Sequence, residues 1–136
     1  MAGFQLVRSL NEVEVQTFTV ASQAYTEGDA VMRSTTAGTV IPATSSTSMD
    51  TLIGVAAETV ASTATSLKVR LVDPTQVWEC EVANTVNAAH NYMKMVLTDA
   101  NTVNNTGTDS VADAAIVMQI GVLGSKGLFR FRGDAT

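Results

Sequence analysis

The chain has 136 residues, of which 46% are hydrophobic, 5% aromatic and 15% charged, with a formal net charge of −5 and a pI near 4.6. That length suits one domain with one core, a two-lobed core included. The acidic balance argues against direct nucleic-acid binding, which needs clustered Lys and Arg to neutralise phosphate, and a lone cysteine rules out an internal disulfide.

The first stretch, MAGFQLVRSLN from Met1 to Asn11, has no clear period and reads as an extended N-terminal arm, residues 1–11, ahead of a single β domain, residues 12–136. It reaches Glu12 and Glu14 before any long apolar run forms. No later segment nears the roughly eighteen apolar residues of a membrane span, so neither secretion nor a membrane partner is expected. Next, EVEVQTFTV alternates Val13, Val15 and Thr17 against Glu12, Glu14 and Gln16, a strand with one wet face. The alternation then slips to Phe18 and Val20, as at a bulge or a second contact.

Gly28-Asp29 and Ala37-Gly38 punctuate YTEGDAVMRSTTAGTVIP into a hairpin. A polar loop, Ala43 to Thr51, leads to the short strand Leu52 to Ala57, whose Gly54 predicts a bulge or a close backbone approach. In SLKVRLVD, Leu67, Val69 and Leu71 share one face, with Lys68, Arg70 and Val72 on the other. Asp73-Pro74-Thr75-Gln76 suits a type I turn, so QVWECEV is expected to return antiparallel beside SLKVRLV. Trp78, Cys80 and Val82 then join Leu67, Val69 and Leu71 in the core, while Glu79 and Glu81 face Lys68 and Arg70.

The second half parallels the first. Tyr92 to Leu97, Ile116 to Leu123 and Gly127 to Arg132 stand in for the strands around Val31, Ile53 and Val69. Tyr25 and Tyr92, like Ile53 and Ile120, lie 67 positions apart. A duplication of this kind implies a pseudo-symmetric barrel or sandwich. Helices are confined to one or two turns at Asn84 to Tyr92 and Asp109 to Ala115. The fold class is therefore all-β: a small antiparallel β-barrel or sandwich.

No catalytic constellation is visible. His90 in AAHNY has no recognisable nucleophile or acid. Cys and His together number two, short of the about four ligands of a structural zinc site. Asp99 to Asn104 begins like a calcium loop but places Val103 at the third ligand position. Gly121 to Gly127 misses phosphate-loop spacing, and Arg132-Gly133-Asp134 reads as a strand end followed by a Gly turn, three residues being too few to assign a receptor role. Cys80, between two glutamates, is a poor nucleophile. No enzyme, cofactor or metal is expected.

Gly28-Asp29-Ala30-Val31, Gly38-Thr39-Val40-Ile41-Pro42-Ala43, Ile53-Gly54-Val55-Ala56 and Val69-Arg70-Leu71 together resemble the head decoration, or capsid cement, proteins of tailed bacteriophages. The resemblance covers about residues 25–72 as phrases. It implies a structural virion protein with a compact β-barrel or β-tulip body on the outer capsid surface, made in the host cytoplasm, often a homotrimer, that bridges major capsid protein subunits and stabilises the expanded shell. It also implies an arm that reaches onto the coat lattice; here Phe4, Leu6, Val7 and Leu10 would make that contact. The alternatives are a phage tail, fibre or minor coat component, or a small β-barrel module holding a ligand on Trp78 or Tyr92.

Overall fold

The computed structural model describes residues 3–35, 38–44, 51–82, 94–104, 116–123 and 126–131; for 94–96, 104 and 116–123 it describes the backbone. The expected helical turns, His90, Tyr92 and the Arg132-Gly133-Asp134 tripeptide lie outside the described residues. Within them the regular structure is strand: β1 Gln5–Arg8, β2 Val15–Val20, β3 Ala30–Arg33, β4 Thr39–Pro42, β5 Leu52–Ala56, β6 Ser66–Leu71, β7 Val77–Val82, β8 Lys94–Asp99, β9 Thr102–Asn104, β10 Ile116–Leu123 and β11 Lys126–Phe131.

The first five strands after β1 close into a barrel in the order β2-β4-β3-β5-β6. Every neighbour is antiparallel except β2 and β4, which run parallel. The remaining strands repeat this scheme one for one. β7 pairs β11, β11 pairs β10, β10 pairs β8 and β8 pairs β9, all antiparallel, and β9 returns parallel to β7. The all-β barrel expected from composition and periodicity is thus present, and it is present as a duplication.

Matching the ladders residue by residue corrects the expected spacing. Val20 beside Val40 corresponds to Val82 beside Val103, an offset of 62 for β2 and β7. Val55 opposite Arg70 corresponds to Val117 opposite Arg130, an offset of 62 for β5 and β10 and of 60 for β6 and β11. The 67-residue spacing of the tyrosines and isoleucines is not the repeat.

Two buried clusters result. Val20, Tyr25, Val31, Val40, Ala56, Leu67 and Val69 fill the first barrel. The second cluster joins Trp78, Cys80, Val82, Leu97, Val103, Phe129 and Phe131 to Ala30, Ala43, Leu52 and Val55 from the first barrel's outer side. Burying both faces of β3 and β5 in this way explains their nearly continuous apolar sequence. The backbone supports the seam, with the Ala30 N–H donating to the Ala100 carbonyl at 2.7 Å.

The expected hairpin of β6 with β7 does not form. The turn is there, closed by the Gln76 N–H on the Asp73 carbonyl at 3.1 Å, but it links the two barrels. Both edges of β6 are occupied by β2 and β5, and those of β7 by β11, β1 and β9. A turn motif fixes the direction of the chain locally, whereas the partner strand is set by which faces must be buried. The charge pairing changes with it: Lys126, not Lys68, meets Glu79 at 3.3 Å, and Arg70 lies 3.9 Å from Glu27.

Gly54 carries the close approach expected of it. A Cβ there would stand 2.1 Å from the Arg70 carbonyl oxygen, and the β3–β5 register shifts beside it between Val31 and Met32.

Candidate functional site

The N-terminal segment is not a free arm. Gly3, at φ +92, lies so close to Gly28 that a Cβ would come within 2.6 Å of the Gly28 carbonyl oxygen. The next residue, Phe4, donates its N–H to that same oxygen at 2.7 Å. Its ring enters the second core, 5.0 Å from Phe131, which in turn meets the Trp78 ring edge-on at 5.9 Å. Leu6 packs against the same cluster. β1 then adds to β7 antiparallel, with Gln5 opposite Glu79 and Leu6 opposite Trp78.

Of the four expected arm contacts, Phe4 and Leu6 are therefore used inside the chain. An apolar strand beside an open sheet edge gains both ladder hydrogen bonds and burial, and neither requires a partner molecule. Val7 and Leu10 are different: they stand 52% and 83% exposed. With Val15, they are the exposed large hydrophobic side chains among the described residues, and all three fall in one nine-residue segment, 7–15. Beside it, Phe4, Gln5, Leu6, Glu27, Gly28 and Arg70 line an open groove of about 300 Å³.

The segment ends in a latch. Asn11 donates its side-chain N–H to the Asp73 carboxylate at 3.0 Å, across to the turn between the barrels. Hydrogen bonds from Thr75 and Asn11 hold the Asp73 carboxyl below the usual carboxylate range.

The core expectations divide between the barrels. Leu67 and Val69 line the first, Leu71 is half-buried at its rim, and Trp78, Cys80 and Val82 line the second. Trp78 is fully buried, so it offers no stacking platform to a ligand. Burial pushes the Cys80 thiol well up, with Glu81 and Asp99 adding to the effect, and its S–H donates to the Asn101 carbonyl at 3.3 Å. Asp99 and Asn101, read as the start of a calcium loop, are the ends of a β8–β9 turn in which the Asn101 N–H donates to the Asp99 carboxylate. Among the described residues no three metal-ligating side chains gather.

No family model and no curated protein matches this chain. What the geometry presents, among the described residues, is a double barrel in an acidic chain whose exposed large hydrophobic side chains lie in the segment from β1 to the start of β2. Lone exposed apolar residues are ordinary, whereas neighbouring ones beside a sheet edge are candidates for an interaction surface. The short strand β9, the counterpart of β4, was missed in the sequence; the shared pair Thr39-Val40 and Thr102-Val103 was the available signal.

Proposed function

We propose that this chain is a structural virion protein of the head decoration, or capsid cement, class, which binds the outside of an icosahedral phage shell and bridges coat subunits. The observation that carries this reading is that Val7, Leu10 and Val15, the exposed large hydrophobic side chains among the described residues, fall in one segment. Such a segment supplies a contact that desolvates on binding a protein lattice. It does not by itself supply high affinity. A homotrimer would present three of them to a repeating shell, and linking modest contacts in this way raises avidity about 10²–10⁴-fold. Whatever binds only the assembled, expanded shell then stabilises it by linkage.

The direct test is co-sedimentation with undecorated expanded shells, comparing the native chain with a Val7→Asp, Leu10→Asp double variant. Both positions are exposed, so the variant should melt within a few degrees of the native protein while losing attachment. Undiminished attachment by a folded double variant would sink the assignment of this surface. Deleting residues 1–11 is a poorer test, because it also removes Phe4 from the core.

A further inference from the structure

The two barrels differ at one place that their shared topology makes equivalent. On β7, the edge away from β11 is divided: β9 occupies Glu81 and Val82, and β1 occupies Val77 to Glu79. On β2, the corresponding edge is taken by β4 only at Thr19 and Val20. Val15 to Phe18, the counterparts of Val77 to Cys80, have no strand on that edge among the described residues.

The ladder direction is fixed by the Leu71 N–H, which donates to the Glu14 carbonyl at 2.9 Å. In an antiparallel ladder the bonded residues alternate, so Glu14, Gln16 and Phe18 turn their backbone groups to β6. Val15 and Thr17 turn theirs to the open side. Burial follows the difference, since Val77 and Trp78 are covered whereas Val15 is 49% exposed and Gln16 is also exposed.

We propose that this half-edge of β2 is a strand-addition site for an extended segment of a partner protein, docked antiparallel as β1 docks on β7. The chemistry of the occupant can be read from β1, whose sequence is Gln-Leu-Val-Arg. Arg8 lies opposite Val77, the counterpart of Val15. On β2 a basic residue at that place stands beside Glu12 and Glu14, which with Val13 and Val15 line a shallow concavity at the strand's start. The occupant is therefore a short aliphatic strand carrying Lys or Arg at that end. A second copy's β2 fits poorly, because antiparallel self-pairing brings four glutamates together in a chain of net charge −5. This inference goes beyond the capsid reading, as it concerns the first barrel whichever protein supplies the strand.

The test uses the full chain, labelled for amide NMR, and a synthetic peptide with the sequence of its own residues 3–9, which already shows the required docking geometry on β7. Alone, the Val15 and Thr17 amides should exchange at least about tenfold faster than those of Val77 and Glu79. Millimolar peptide should shift the Val15 and Thr17 signals saturably and slow their exchange. A peptide with Arg→Glu should bind at least a few-fold more weakly, and the Val15→Asp and Glu14→Lys chains, checked by thermal melt, should each weaken the native peptide's binding. Protection of Val15 and Thr17 in the isolated chain would overturn the proposal. So would absence of shifts, or binding indifferent to both variants. A dimer in sedimentation that Val15→Asp dissolves would overturn it in favour of self-pairing.

Discussion

The indole N–H of Trp78 donates to Oε1 of Gln76 at 3.3 Å, and that same oxygen accepts the Asp73 backbone N–H at 3.0 Å. The amide nitrogen of Gln76 donates to the Leu71 carbonyl at 3.2 Å. One buried side chain thereby ties the last strand of the first barrel, the connecting turn and the largest ring of the second core. Gln76→Leu keeps roughly the size but leaves these groups without partners. Each buried polar group so orphaned costs about 1–3 kcal/mol, so a loss of at least ~2 kcal/mol is expected in chemical denaturation. Tryptophan fluorescence should report the same transition.

Gly54 is held against the backbone of β6 by the barrel's own closure. Because a Cβ would collide with the Arg70 carbonyl and with Val69 Cγ1 at 2.7 Å, neither a rotamer change nor solvent can relieve the contact. Gly54→Ala should cost at least about 1–3 kcal/mol, the range for overpacked cores. A melting temperature equal to the native value would show that β5 and β6 sit further apart than described.

What was legible in the sequence was local. Period-two alternation located β6 and β7, and Asp73-Pro74 located the turn between them, since both signals depend only on neighbours in the chain. The pairing of those strands was not legible. It depends on Phe129 and Phe131 arriving from about fifty residues later to cover Trp78, and on β1 covering the other edge. The repeat was visible as a pattern but not at its true offset, because loops of unequal length shift β3, β5 and β6 differently against their counterparts. The N-terminal segment proposed as the shell contact is legible as apolar, but its aperiodicity does not say that Phe4 turns inward while Val7 and Leu10 stay exposed.

Cys80 should be unreactive in the native state. It is buried, its thiol ionises with more difficulty than usual, and its S–H is hydrogen-bonded. An aromatic disulfide reagent near pH 8 should therefore label it only at the rate of opening of the second barrel, accelerating in step with denaturant. Cys80→Ser should leave shell attachment unchanged. Rapid labelling of the native chain would contradict the closed β7–β9 seam.

The Asp73 latch gives an acid-side prediction whose sign is fixed. Its native pKa is depressed from 3.8 by hydrogen bonds from Thr75 and Asn11, so its stabilising contribution is fully present above pH 3.8 and lost as pH falls through the native value. Comparison of native and Asp73→Asn chains should show curves that differ above pH 3.8 and converge only as pH falls below the depressed native value. Convergence absent at low pH would indicate that the Asn11 contact does not depend on the carboxylate.

Phe4 separates the structural from the adhesive role of the N-terminal segment. Phe4 is 2% exposed and its ring lies tilted against Phe131, so Phe4→Ala should destabilise the fold by about 3–5 kcal/mol, the usual cost of removing a buried aromatic. Leu10→Asp, at a position 83% exposed, should leave stability within about 0.5 kcal/mol. Attachment assays must then be read against the melts: Leu10→Asp should lose shell binding without losing fold, whereas Phe4→Ala should lose both, and only after β1 has detached from β7. If Phe4→Ala melts like the native protein, β1 is not anchored through this ring. The segment would then be the free arm that its aperiodic sequence first suggested.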